Sequence, residues 1–413
     1  PFQRYYTKFQ FSSIKLKDLK SGDKMNIPKL RFKEFNDEYK TYKFKDVAKL
    51  YRGSSPRPII NFITKSEDSV NWIKIGDVSQ NETYIKSTSE KITKEGAKKS
   101  RKVYKGEIIL SNSMSFGRPY ILDLDGCIHD GWFVVRDYER LLNKEYLYHF
   151  MSSSFIQKQY KTLSAGGVVS NISSDLVYSV KLNIPSKEEQ LKIAKFLSLL
   201  DKKIELQDKK IEALKLFKKG LLNEFLKRNP CSKISLKYIL KERKKYTIKD
   251  GILPHVTLSK NGIEEKIERY NRDFLVKSKD KNYKITKIYD LCYNPANLKF
   301  GVICLNTYGS AIFSPIYITF EINHKFNPLY IGYYVTQQNF INSARKYEQG
   351  TVYERMAVAP EDFLKMNIWV PNKHIQDKFS TILISMDTKL KKENEKLKML
   401  EALKKGFMQS MFV

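Results

Sequence analysis

Cysteine is scarce: Cys127, Cys231, Cys292 and Cys304 are the only four in 413 residues, and no two form a Cys-x-x-Cys pair. That spacing supports neither a disulfide framework nor the usual zinc sites. The five histidines, His129, His149, His255, His324 and His374, are too dispersed for metal-ligand spacing. No apolar run approaches the ~18 residues needed to cross a bilayer, and the first residues lack the apolar stretch of a signal peptide. There is no Gly-x-x-x-x-Gly-Lys-Ser/Thr loop to cradle nucleotide phosphates. Acid is also short, with 45 Asp and Glu against 75 Lys and Arg, giving a formal charge of +30. These features fit a reduced, cytoplasmic protein with an acidic partner, although a Lys-rich proteome would inflate the charge in the same way. Hydrophobic residues make up 41% and aromatics 13%, enough to build cores.

A repeat of very long period organises the chain. Pro185, Gln190 and Asp201 reappear as Pro371, Gln376 and Asp387, each 186 residues later. The same shift carries Leu200, Ile204, Ile211 and Leu214 onto Met386, Leu390, Leu397 and Leu400, and Lys218-Lys219-Gly220 onto Lys404-Lys405-Gly406. Upstream, Phe116-Gly117 matches Phe300-Gly301 and Gly166 matches Gly350, both at a shift of 184. So long a period excludes a solenoid and implies two copies of a domain plus a helix.

The helical parts are the clearest. From about 187 to 228 there is no Pro and a single Gly, and the apolar positions fall on a heptad. Leu200, Gln207, Leu214 and Leu221 lie seven apart, with Ile204 and Ile211 offset by four. This spacing makes an apolar seam that must face another helix. Met386, Leu390, Leu397, Leu400 and Phe407 repeat it. Ser186 and Asn372 occupy the N-cap positions, and Asn229-Pro230 stops the first helix. A helix of this length, roughly 60 Å at ~1.5 Å per residue, cannot stand alone with one apolar stripe. Since the chain supplies two, an intramolecular antiparallel coiled coil is the simplest solution.

Ahead of each helix the pattern changes. Trp72–Val78, Glu107–Leu110, Ala311–Phe320 and Ile368–Val370 read as short strands, and Tyr146–Tyr160 and Tyr330–Tyr347 have helical spacing. The expected fold is α+β: two tandem α+β domains, each followed by a long helix. The boundaries are 25–185 and 230–371 for the domains, and 186–229 and 372–413 for the helical regions. Residues 1–24 fit neither copy and have no assigned role. Met25 is a candidate natural start.

Motifs for chemistry are thin. Asn294-Pro295-Ala296-Asn297 only superficially matches the Asn-Pro-Pro-aromatic motif of adenine methyltransferases, since the second Pro and the aromatic are missing. Glu242-Arg243-Lys244 has the Glu-x-Lys form of many nucleases but lacks a clear partner acid. His129-Asp130 could pair catalytically, but a loop hydrogen bond is the simpler role. A binder is therefore favoured over a catalyst.

For a DNA binder, cations meet phosphates while polar side chains reach base edges. Loops combining Arg, Ser, Asn and Gly supply both. In the first copy these contribute Arg52, Ser54, Ser55, Arg57, Lys98, Lys99, Arg101, Ser113, Ser115, Arg118 and Asn171. In the second they contribute His255, Lys260, Asn294, Asn297, Lys299, Thr351, Tyr353 and Arg355. An ordinary solvated turn remains the alternative for each loop alone.

Taken in order, Arg52-Gly53-Ser54-Ser55-Pro56, Trp72–Val78, Lys105–Ile108, and Asn171 through Pro185, Gln190 and Asp201 resemble the specificity subunits of type I restriction–modification systems. The resemblance covers about residues 28–413. The second copy departs from it where Ile375-Gln376 replaces Glu-Gln. The resemblance implies two target-recognition domains, each reading half of a split, asymmetric DNA site, with the helices fixing the spacer. It implies partners for double-stranded DNA recognition: two modification (methyltransferase) subunits, and restriction subunits that translocate and cut. S-adenosylmethionine, Mg²⁺ and ATP would then enter only through those partners, and this chain would be no enzyme. Two alternatives stay open: an endonuclease or fused enzyme with an unrecognised motif, and a coiled-coil adaptor that binds DNA without reading it.

Overall fold

The computed structural model describes residues 14–16, 27–78, 82–112, 117–164, 172–248, 251–266, 282–349 and 357–413. Two compact units emerge: Pro1–Asp208 with Glu395–Val413, and Lys209–Asn394. Each contains one α+β body and a pair of helix segments.

In the first unit, one five-stranded sheet runs in the order Lys49–Arg52, Trp132–Arg136, Ile108–Ser111, Pro119–Leu122, Tyr84–Ile85. Its central strands are apolar at consecutive positions because both faces are covered. Ile108, Leu110, Phe133 and Val135 enter one core, whereas Ile109, Trp132 and Val134 enter another. A second five-stranded sheet runs Ile63–Thr64, Glu90–Ile92, Val70–Ile73, Gly126–Ile128, Arg101–Val103. Lys40–Lys43 pairs with Lys181–Ile184, and Ile14–Leu16, within the segment that fitted neither copy, pairs antiparallel with Leu30–Phe32.

The second unit has a four-stranded sheet in the order Leu240–Glu242, Ile318–Ile322, Leu291–Tyr293, Ile303–Leu305. A three-stranded sheet, Tyr246–Thr247, Tyr283–Thr286, Ala311–Phe313, and a hairpin, Val256–Ser259 with Gly262–Glu265, complete it with the pair Ser232–Ser235 and Asn367–Val370.

Several segments are shorter than their spacing suggests. Tyr146–Tyr160 splits into helices Lys144–Ser152 and Ser154–Ser164, because extended Ser153 intervenes and its hydroxyl accepts from Ile156 N. Tyr330–Tyr347 splits into Pro328–Val335, Gln338–Ala344 and a 3₁₀ turn. Trp72–Val78 is strand only to Ile73, then a 3₁₀ turn over Ile75–Asp77. Ala311–Phe320 is two strands rather than one.

The long helices span Lys187–Arg228 and Lys373–Met411. The Ser186 hydroxyl accepts from Glu189 N at 3.3 Å, and the Asn372 carbonyl from Ile375 N at 3.0 Å, capping both starts. Within the first unit, Phe196 meets Phe407 edge-to-face at 4.8 Å, and Lys404 pairs with Asp201. Within the second, Phe225 meets Phe379 at 4.5 Å, Lys210 pairs with Glu393 at 2.6 Å, and Lys218 pairs with Asp387. In both units numbers rise along one segment as they fall along the other, the antiparallel sense. Ile211, Met386, Leu400 and Phe407 are buried, and Leu200, Ile204, Leu214, Leu221, Leu390 and Leu397 are half-buried.

The repeated glutamine has a structural reason. Gln190 accepts from Asn143 N and donates to Pro185 O, while Gln376 accepts from Asn327 N and donates to Pro371 O. Asn143 and Asn327 are themselves helix N-caps. One buried amide in each unit thus ties the long helix to a helix of its own α+β body.

Candidate nucleic-acid interface

Register in the first unit assembles a continuous loop edge. Arg52 is opposite Phe133, Phe133 opposite Leu110, and Leu110 opposite Pro119. Four adjacent strand ends therefore lie in line, and the loops leaving them share one side of the sheet. Gly53 is central to this edge. Its N–H donates to Trp132 O at 2.8 Å, and a Cβ there would lie 2.0 Å from His129 O, so no side chain fits without displacing the loop.

Around Gly53 the polar groups interlock. Ser54 donates to Lys99 O, Ser100 to Ser54 O, and Arg101 Nε to Arg52 O at 3.2 Å. Ser55 Oγ donates to Asp130 Oδ1 at 2.6 Å, which holds the Asp130 carboxyl below the usual carboxylate range. Arg52 Nε and the Asn112 amide both donate to Asp130 O, at 3.2 and 2.8 Å. The structure thus brings Arg52, Ser54, Ser55, Lys99 and Arg101 together. Lys98 ends the adjoining short helix, and exposed Arg57 follows on the same loop. Arg118 begins the return from Ser111, its guanidinium over Tyr120 at 5.6 Å. Ser113, Ser115 and Asn171 lie outside the described residues.

His129 and Asp130 form no catalytic pair. Their side chains are 3.9 Å apart, the His129 ring nitrogens face Ile75 N and Gly131 N, and burial lowers the imidazole's pKa. Their place is to hold the loop.

Sequence reasoning missed a basic cavity beside this edge. About 370 Å³ in volume, it is lined by Lys98, Ser100, Arg101, Lys102, Tyr104 and Arg136. Glu107 neutralises Arg136 through two hydrogen bonds, at 2.6 and 3.1 Å, while Lys98, Arg101 and Lys102 keep the lining cationic. The Arg101 and Arg136 guanidinium groups lie over Tyr51 at 5.6 and 5.7 Å. Such a site can take the oxygens of a phosphate. Lys102 and Arg136 follow no motif; Lys102 continues the strand that Arg101 begins, and Arg136 comes from the other sheet, donating to Lys102 O at 3.0 Å.

In the second unit, Lys260 and Lys299 meet at the ring of Phe300. His255 packs edge-on against Tyr283, with ring centroids 4.9 Å apart. Asn294 is buried and its carbonyl caps Ala296 N, so it shapes the turn. Asn297 is half-buried, and its backbone carbonyl accepts from Gly301 N. Thr351, Tyr353 and Arg355 lie outside the described residues.

The Glu242-Arg243-Lys244 triplet is an ion-pair network. Glu242 pairs with Lys284 at 3.0 Å and Lys244 at 3.4 Å, while Arg243 binds Asp290 through two contacts of 2.8 and 2.9 Å. Among the described residues, no group of three or more His, Cys, Asp or Glu is arranged to hold a metal ion, and no helix is long and apolar enough to cross a membrane.

Comparison with known proteins agrees with this geometry. Residues 36–216 match the family described as type I restriction modification DNA specificity domain. The MjaIX type I restriction enzyme specificity subunit of Methanocaldococcus jannaschii is 27% identical over 214 residues, 50% of this chain and 47% of that protein. The chain thus spans about half the length of that curated relative. In fold, the chain is similar to the S subunit of a type I restriction–modification system from M. genitalium, with a TM-score of 0.57, 15% identity, and coverage of 94% of this chain and 99% of that one. A chain from a structure on complex assembly and conformational transition of the type I system gives a TM-score of 0.57 at 13% identity, over 90% of this chain and 96% of that one.

Proposed function

We propose that this chain, whose residues 36–216 match the type I restriction modification DNA specificity domain family, is the sequence-reading subunit of such a system. It binds double-stranded DNA in two parts. The first unit reads one half-site through the loops around Gly53, and the second reads the other through the turns that carry Lys260 and Lys299. The paired helices set the unspecified spacer. The observation that carries this reading is the in-register row of strand ends, where fixed polar groups adjoin a cationic cavity. Cations there position the phosphate backbone, and the Ser- and Asn-bearing loops face base edges.

The chain works in the cytoplasm with two modification subunits and with restriction subunits. S-adenosylmethionine is used by the former, and ATP and Mg²⁺ serve the complex through its partners. The chain itself performs none of this chemistry. The endonuclease alternative has little to stand on, because the one carboxylate of its candidate triplet, Glu242, is engaged by Lys284 and Lys244. The adaptor alternative makes a different prediction: a steep salt dependence with no preference among sequences.

The test is purified chain with and without its modification subunits. Sequence-specific adenine methylation by the complex alone is expected. Methylation or cleavage by the clean single chain would contradict the assignment.

A further inference from the structure

Phe300 is the last residue of a 3₁₀ segment, Pro295–Phe300, at the tip between strands Leu291–Tyr293 and Ile303–Leu305. A tip of this kind ordinarily carries small polar residues, yet this ring is 55% exposed. It is also held firmly. Leu298 is buried in the unit's core, the Asn294 side chain caps the start of the segment, and Gly301, at φ +81°, closes it with hydrogen bonds to Asn297 O and Leu298 O. Two ammonium groups lie over the ring: Lys299 Nζ at 5.4 Å, and Lys260 Nζ at 5.8 Å from the turn of the neighbouring hairpin. An exposed aromatic between two cations offers an apolar face where a polyanion would be drawn in.

The first unit repeats the device in its sequence. Its corresponding hairpin joins Ile108–Ser111 to Pro119–Leu122, and its tip ends in Phe116-Gly117-Arg118. Gly117 also has positive φ, +68°, and its N–H closes back onto Ser111 O at 3.0 Å. Phe116 itself lies outside the described residues. In sequence, both units put a phenylalanine immediately before a glycine of positive φ.

We propose that Phe300 is a specificity-determining residue that wedges its ring against a base step of the half-site read by the second unit, while Lys260 and Lys299 hold the flanking phosphates. This rests on the DNA-reading function proposed above. Apolar side chains, Phe among them, partly unstack a step at a cost that depends on its sequence, so they discriminate without hydrogen-bonding a base. The lysines bring the ring to the duplex and add affinity that sequence does not alter.

The experiment uses the full chain assembled with its modification subunits, and compares F300A with K260A and K299A on DNA containing the recognised site and on unrelated DNA across a salt series. F300A is expected to weaken binding to the site about 10-fold or more, while leaving unrelated DNA and the salt slope unchanged. Each Lys→Ala variant is expected to weaken both DNAs alike and to lower the slope by about one. With 2-aminopurine scanned through the half-sites, one step should gain fluorescence on wild-type binding and lose that gain in F300A. Wild-type affinity in F300A, or equal loss on both DNAs, would overturn the wedge. If the wild-type complex has no preferred DNA, the sequence-reading function itself fails, a result distinct from either variant outcome.

Discussion

The two units solve one anchoring problem with different chemistry at a single helix start. In the first unit, Glu189 is buried in the opening turn of the central helix, where Arg31 grips it at 2.8 and 2.7 Å and Tyr39 OH donates to it at 2.9 Å. In the second unit the repeat puts Ile375 there. Arg31 comes from the strand Leu30–Phe32, which belongs to the additional two-stranded pair of the first unit. The charge and its partner thus both belong to the first unit. One residue further in, Gln190 and Gln376 make two matching hydrogen bonds, and Gln190 adds a third to Leu141 O. The repeat is strict where a helix must be tied to its α+β body and free where each body builds its own surroundings.

The largest difference between the units should follow from removing the charge. Glu189→Ala leaves Arg31 buried without its partner and should cost about 3–5 kcal/mol. Ile375→Ala trims a half-buried side chain and should cost about 1 kcal/mol. Urea unfolding of the two variants compares them directly, and equal losses would show that the buried pair is not what anchors the first unit.

A second asymmetry is set by pH. His149 lies in the helix Lys144–Ser152, and burial pushes its pKa down to about 3. Its Nε2 is 3.3 Å from Ser198 Oγ, its Nδ1 is 3.9 Å from Asp201, and Lys404 disfavours its charged form further. At the corresponding position the second unit has Tyr333, whose hydroxyl donates to Lys218 O. The folded state keeps His149 neutral while the unfolded chain protonates near pH 6.5, so the unfolded state binds more protons below that pH. Its contribution is present above about pH 6.5 and is lost as pH falls toward 3, at up to about 1.4 kcal/mol per pH unit. Burial raises the Asp201 carboxyl as well, against the pull of Lys404, and the window about the ordinary imidazole value, roughly pH 7 to 5.5, reads His149. Hydrogen-exchange protection factors, corrected for the intrinsic pH dependence, should fall over this window in Trp132–Arg136 more than in Ile318–Ile322. His149→Phe should abolish the difference.

The smallest effect should be the most symmetric. Gln190→Ala and Gln376→Ala each lose the bonds to an N-cap amide and a proline carbonyl, Gln190→Ala also one to Leu141 O, and each should cost about 1–2 kcal/mol. Costs differing by more than about 1 kcal/mol would break the equivalence of the two anchors.

How much of this was legible in the sequence follows from the range of the interactions. The long helices, their caps and their apolar seam could be read because period, cap and stop signals are local. The α+β character could be read for the same reason, but Tyr146–Tyr160 was not seen to break at Ser153, where backbone geometry overrides spacing. At the loop edge, Gly53, Ser54, Ser55 and Arg101 were visible as a polar, Gly-bearing set. Lys102 and Arg136 were not; Arg136 reaches the cavity from another sheet, through packing that sets its guanidinium on Lys102 O. Asn294 had the right chemistry for a base contact, but it is buried as a cap. Phe300 was visible only as half of a repeated Phe-Gly pair; its exposure between two lysines is a tertiary fact.

The most direct test of the central claim is to sequence methylated adenines in cells expressing this chain with its modification subunits. The account predicts one asymmetric motif, two unlike specified halves separated by an unspecified spacer of fixed length. A single uninterrupted motif, a spacer of variable length, or methylation that ignores sequence would contradict it.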